Sequence, residues 1–196
     1  MILPIVAYDD PVLRKQCKEV DSSHSQLDEL IFDMFDTMYN AKGVGLAAPQ
    51  IGEDLRLFII DTLPFSNTKN KAEARFLKIF KKVFINPVIL ENYGEAWKFR
   101  EGCLSIPDVM ENVTRNSHVL IEYYDEHWKK KREILDGLRA RVMQHEYDHI
   151  EGKLFIDYLS SLKRHLISNK LKDISNGKIT MDYPIKCPLN RNKQSS

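Results

Sequence analysis

His145 and His149 stand four residues apart with Glu146 directly after the first, giving His-Glu-x-x-His within Gln144-His145-Glu146-Tyr147-Asp148-His149. On an α-helix, residues i and i+4 share a face, so both imidazoles can reach one divalent cation. Glu146 points roughly 100° round the helix from His145. It is therefore not placed as a ligand, and its carboxylate is free to take a proton from water beside the cation. That arrangement belongs to a metal hydrolase. The alternative is a solvated helix that happens to carry His and Glu. Against it, Leu138, Val142, His145 and His149 follow at spacings of 4, 3 and 4 and form one stripe. The histidines continue an apolar, inward face, and a metal would satisfy two buried imidazoles.

A catalytic site of this kind takes three protein ligands and leaves one position open. Cys103, in Glu101-Gly102-Cys103-Leu104-Ser105, is the best candidate for the third, because it falls at the end of an expected strand where Gly102 lets the chain bend. A thiolate beside a divalent cation stays deprotonated. Gly43-Val44-Gly45-Leu46-Ala47-Ala48-Pro49-Gln50 places two glycines two residues apart. They can adopt φ > 0 and let another backbone come close. Taken alone this is a tight connector, and no phosphate-loop pattern completes it.

The elements that must hold these residues can be read from periodicity. Asp136-Gly137 marks the start and Gly152 the stop of the His-bearing helix. An earlier helix over residues 27–41 follows from the spacing of Leu27, Leu30, Ile31, Met34 and Met38, with a capping box expected from Ser25 to Asp28. Strands are expected at 55–61, 83–90, 97–104, 119–124 and 131–135. Residues 62–82 read as a solvated insertion with a short helix at 72–80, and 161–173 as a second surface helix. The fold class is α+β, a single domain of mostly antiparallel or mixed β-sheets packed around the central H-E-x-x-H helix, with an N-terminal and a C-terminal helix. Residues 1–175 are expected to form the catalytic domain and 176–196 a flexible tail.

The whole chain adds bounds. At 196 residues and 43% hydrophobic it can bury one core, and a net charge of +1 gives no global bias toward nucleic acid. No apolar run approaches membrane-spanning length, and the N-terminus lacks the regions of a signal peptide. Three cysteines are too few and too odd for a disulfide scaffold. A soluble, cytoplasmic protein with no membrane partner is expected.

At this point three segments together resemble the peptide deformylases. That family carries G-x-G-x-A-A-x-Q, E-G-C-L-S and Q-H-E-x-D-H in this order, and the chain has all three at 43–50, 101–105 and 144–149. The resemblance covers about residues 3–158, and even the opening Pro-Ile-Val-Ala-Tyr-Asp-Asp-Pro-Val-Leu-Arg is similar to the family's usual start, so no transit peptide is expected.

The resemblance implies removal of the N-formyl group from the initiator methionine of nascent chains, with release of formate. Cys103, His145 and His149 would hold the metal. Glu146 would be the general base and then the acid, and Gln50 with the Leu104 backbone N–H would donate to the formyl oxygen. Glycines such as Gly45 and Gly102 would leave room for the peptide, while Val44, Leu138, Val142 and the His145 ring would line a methionine pocket. The family's usual metal is Fe2+, and purified protein could carry Zn2+ or Ni2+ instead. Nascent chains suggest transient contact with the ribosome, for which Lys163, Arg164, Lys170 and Lys172 on the C-terminal helix are candidates.

Three features depart from the family pattern: the long 62–82 segment, Met110 where many members have arginine, and Arg141 near the methionine pocket at a position often apolar in relatives. Other readings are a generic metallopeptidase, a cysteine nucleophile, and a binding module that retains the fold. The first usually takes a third His or Glu downstream, whereas Cys103 lies 149 − 103 = 46 residues upstream of His149. The second would need a thiolate not tied to metal. The third has no use for Glu146.

Overall fold

The computed structural model describes residues 1–188. In chain order it contains β1 (Ile5–Val6), α1 (Leu27–Asn40), β2 (Gly45–Ala47), β3 (Leu57–Asp61), α2 (Lys71–Ile79), β4 (Lys81–Cys103), β5 (Ile106–Tyr124), β6 (Lys130–Asp136), α3 (Gly137–Ile150), α4 (Ser161–Ser175) and β7 (Ile185–Lys186). Strands β2 to β6 pair antiparallel in sequence order as one five-stranded sheet, while β1 and β7 pair in parallel. The expected α+β domain is what forms. Helix α3 lies against β2, β3 and β5, so the sheet carries the histidine helix on its surface.

Burial explains this arrangement. Leu27, Ile31, Met34 and Met38 of α1 join Leu57, Ile59, Val83 and Ile85 in one apolar cluster. Phe58, Ile60 and Phe84 face the other way and pack with Ala140, Val142, Met143 and Ile150 of α3. Strand β3 is buried along its whole length because its alternate side chains serve both clusters. Four of its five residues are apolar, which is why periodicity found it.

Several boundaries differ from expectation. The capping box does not form: α1 starts from Gln26 without a side-chain cap bond. The strands expected at 83–90 and 97–104 are a single element, β4, which pairs with β5 from Ile85↔Tyr124 to Cys103↔Ile106. Its middle, around Glu91 to Ala96, is exposed and carries no apolar signal, yet backbone pairing continues through a register shift at Gly94, where φ is 81°. The inserted segment is folded onto itself, since Thr62 Oγ1 donates to Leu77 O at 2.7 Å and pins the start of the segment to α2.

The end of the chain also differs. Residues 176–188 are packed: β7 pairs with β1, Tyr183 and Cys187 are buried, and the Tyr183 hydroxyl donates to Leu104 O at 2.8 Å. The rest of the expected tail, 189–196, lies outside the described residues. Among the described residues no helix is long and apolar enough to cross a membrane, and Cys17, Cys103 and Cys187 are all free thiols.

Candidate metal centre and active site

Strand β6 runs directly into α3 at Gly137, whose φ of 52° makes the turn that a side chain would resist. About two helical turns later His145 and His149 project together, ring centroids 5.1 Å apart. Strand β4 ends at Cys103, where the tight connection to β5 turns the thiol toward the helix. Cys103 Sγ lies 3.2 Å from His149 Nε2, and one ligand atom from each of Cys103, His145 and His149 falls within 4.8 Å of the others. Donors about 2.0–2.3 Å from one tetrahedral ion sit roughly 3–4 Å from each other. The trio therefore fits a divalent metal without rearranging any element, and one thiolate with two imidazoles is a donor set for zinc or a late first-row ion.

Glu146 is 4% exposed, and its Oε2 has no hydrogen-bond partner among the described residues. Burial pushes its carboxyl up to about 7, although the nearby His145 pulls the other way. A cation in the site would lower it again. The side chain lies flat against Gly45: a Cβ there would meet Glu146 Oε1 first, then Cδ at 2.7 Å and Cγ at 2.8 Å. This corrects the reason given for the glycine pair. Neither Gly43 nor Gly45 takes a positive φ, and Gly45 is needed because the base occupies the space of a side chain.

Gln50 is held from behind. Its Oε1 accepts from Ala47 N–H at 2.8 Å, which fixes the amide so that Nε2 faces Cys103 Sγ and Ser105 Oγ, each at 3.4 Å. The short 3-10 turn Ala48–Ile51 supplies this geometry. Leu104 follows Cys103 in the turn, and both border the same cavity as Gln50.

Beneath the ligands lies a charge network that the sequence reading did not find. Glu101 accepts from Arg115 Nε at 2.8 Å and Nη2 at 3.0 Å, and from Arg141 Nη1 at 2.9 Å. Its Oε2 is also 3.0 Å from His145 Nδ1. Burial alone would raise its carboxyl, but the hydrogen bonds from His145 and Arg115 hold it well below the usual carboxylate range. Nδ1 of His145 therefore carries the proton, and Nε2 is the atom left for a metal. Burial opposes charge on His145, yet Cys103 and Glu101 outweigh it and raise its pKa, whereas burial and the neighbouring His145 keep His149 neutral. Arg115 Nη1 also donates to Asp148 Oδ2 at 2.6 Å, and Tyr158 OH donates to Asp148 Oδ1 at 2.9 Å. One signal for Glu101 was available: it stands two residues before Cys103 on a strand, so both side chains emerge on one face.

A cavity of about 480 Å³ opens over this centre, a size typical of small-ligand sites. Val44, Gly45, Gln50, Gly102, Cys103, Leu104, Val142, His145 and Glu146 border it, as expected. Leu138 does not. It sits one turn nearer the start of α3, past the cavity, and lines a separate hollow with Glu73 and Phe76 of α2. Arg141 borders the cavity, but its guanidinium is engaged by Glu101, by Trp97 O at 2.7 Å and by the Trp97 ring at 4.4 Å. Met110 stands half exposed at the mouth, and Phe65 and Phe99 complete the wall. Of the four cations proposed on α4, Lys163 pairs with Glu111 at 2.6 Å and Lys170 with Asp108 at 3.3 Å.

Comparison with known proteins agrees with this geometry. The family model described as Polypeptide deformylase matches residues 2–165. A peptide deformylase of Christiangramia forsetii is 56% identical over 190 residues, 96% of this chain and 97% of that protein. One from Salinibacter ruber is 41% identical over 94% of each. Among solved structures, a peptide deformylase from Legionella pneumophila superposes with a TM-score of 0.77 at 40% identity, covering 91% of this chain and 98% of that one.

Proposed function

The chain belongs to the peptide deformylase family, metal-dependent hydrolases that remove the N-formyl group from nascent peptides, and from that premise we propose which of its residues carry the reaction. Cys103, His145 and His149 would hold the ion. A divalent cation bound there supplies Lewis acidity, making water nucleophilic near neutral pH and polarising the formyl carbonyl. The observation that carries the rest is the buried, unpartnered Oε2 of Glu146 beside the ligand trio. Glu146 takes the proton of the attacking water and returns it to the departing amine, so that formate and a free N-terminus result.

Gln50 Nε2 and the Leu104 backbone N–H donate to the formyl oxygen as negative charge grows on it. Each such donor, fixed before the reaction begins, is worth roughly 3 kcal/mol. The amide of Gln50 is already turned, because Ala47 holds its other end. Val44, Val142 and the His145 ring take the methionine side chain, and Gly102 leaves room for the peptide beside the strand end. Residues 1–175 carry every group assigned to the reaction, with 176–188 packed against them through β7 and Tyr183.

We assign Fe2+ as the native ion on the resemblance to the family; the thiolate and imidazole donor set suits Zn2+ and Ni2+ as well, and either can replace it during purification. The substrate places the enzyme in the cytoplasm with nascent chains, where the exposed Arg164 and Lys172 of α4 offer a transient contact to the ribosome. The test is formate release from formyl-methionyl peptides after anaerobic purification, with metal analysis on the same sample and a Glu146→Gln variant beside it. The variant retains its metal and loses about 10²–10⁴-fold in turnover. Cleavage of unformylated peptides without formate release, or a Glu146→Gln variant at the parent rate, refutes the assignment.

A further inference from the structure

The segment 62–82 reaches the catalytic cavity. It leaves β3 at Thr62, makes the 3-10 turn Leu63–Ser66 and returns through α2. Phe65, on that turn, borders the cavity, and its ring meets Phe99 of β4 edge-on at 6.4 Å and 82°. Phe99 in turn packs against Trp97 at 5.4 Å. Phe65 and Val44 are both packed on the apolar cluster that contains Val142. All three border the cavity, and in the reading above Val44 and Val142 take the first side chain of the substrate. Leu138, which would have closed that side from α3, faces a different hollow.

We propose that Phe65 is a specificity-determining residue: with Phe99 it forms an aromatic wall on the first-side-chain pocket and favours the thioether of methionine over an isosteric hydrocarbon. This rests on the deformylase reading of the site. Sulfur about 5 Å from an aromatic ring, often at the ring edge, gains an attraction that a methylene does not. Two rings at right angles present both an edge and a face to one pocket, so a flexible thioether has a ring edge within reach in more than one rotamer. The inserted segment thus supplies selectivity to a centre built elsewhere in the chain.

The experiment compares kcat/KM for formyl-methionyl and formyl-norleucyl tripeptides in the parent protein, Phe65→Leu, Phe65→Ala and Ile79→Ala. Ile79 is 78% exposed on the same segment and reports on any general loosening of it. The expected result is a preference for methionine in the parent that falls roughly two- to tenfold in both Phe65 variants, with Ile79→Ala keeping the parent ratio. Phe65→Leu keeps an apolar side chain of similar size, so the measurement survives if Phe65→Ala does not fold. An active parent whose ratio is unchanged in Phe65→Leu, or changed equally in Ile79→Ala, overturns this inference alone. A parent that releases formate from neither peptide overturns the reaction assignment and this inference with it.

Discussion

Replacing Gly45 by alanine adds one methyl group in contact with the base and should disable the site without unfolding it. Gly45 lies in β2, paired with Ile60, and its φ is not positive, so the backbone accepts alanine without strain. The new Cβ would stand 2.7 Å from Glu146 Cδ, whereas ordinary contact begins at 3.4 Å. The carboxylate must therefore retreat by at least about 0.7 Å (3.4 − 2.7). It cannot do so freely, because the side chain is buried and α3 is fixed by the sheet behind it. Misplacement of a reacting group by about 1 Å costs on the order of 10²-fold, so a loss of roughly 10- to 100-fold in kcat is expected, about 1.4–2.7 kcal/mol of barrier. Cys103, His145 and His149 are not displaced, so metal content stays near one ion per chain. Steady-state kinetics on a formyl-methionyl peptide, metal analysis and thermal unfolding on one preparation check this. A variant with the parent kcat and full metal content would show that Glu146 does not need the position the structure gives it, and the argument from close approach would fail.

Two further perturbations probe the supports. Glu101→Gln keeps the size of the side chain but removes the charge facing Arg115, Arg141 and His145 Nδ1. Two buried arginines then lose their shared counter-charge, so a stability loss of about 3–5 kcal/mol and a 10- to 100-fold weaker metal affinity are expected, measured by denaturant unfolding and competitive chelation; unchanged affinity would contradict the orienting role. Tyr183→Phe deletes the hydroxyl that donates to Leu104 O and should cost about 1 kcal/mol. If that bond also holds the Leu104 turn in place, kcat falls more than KM rises, whereas a change in stability alone would restrict the C-terminal segment to packing.

How much of this was legible follows from what kind of signal each part leaves. The ligands and base are close in sequence or lie in short dense segments, and helical spacing alone puts His145 and His149 together. Strand β3 and helix α1 announce themselves by apolar pattern. The continuity of the β4–β5 hairpin does not, because the middle of β4, around Glu91 to Ala96, is exposed and polar and is held by backbone bonds that no side chain reports. The charge network was hidden for a related reason. Arg115, Asp148 and Arg141 look like ordinary surface residues until β4, β5 and α3 are stacked, and 14 residues of hairpin separate Arg115 from the Glu101 it binds. Phe65 and Tyr183 reach the site from segments whose composition reads as solvated, so only packing reveals them.

Charge balance ties the network to the choice of ion. Arg115 and Arg141 face Glu101 and Asp148, so the layer beneath the ligands sums to 2 − 2 = 0. On the reactive side the ionisable groups are the partly buried Cys103 thiol, Glu146, His149, held neutral, and His145, which is neutral once its Nε2 is given to a metal and its Nδ1 keeps the proton. With both acids ionised they carry −2, which a buried site cannot keep uncompensated. A divalent cation brings the reactive side to neutrality, while a monovalent one leaves a net negative charge and a trivalent one a net positive charge. The lower layer cannot make up either difference, because each of its arginines is already matched to a carboxylate. The same balance explains why a Glu101 variant should affect the metal as well as the fold: removing one negative charge below leaves the upper layer facing a net +1, which disfavours a dication in the position where His145 would bind it.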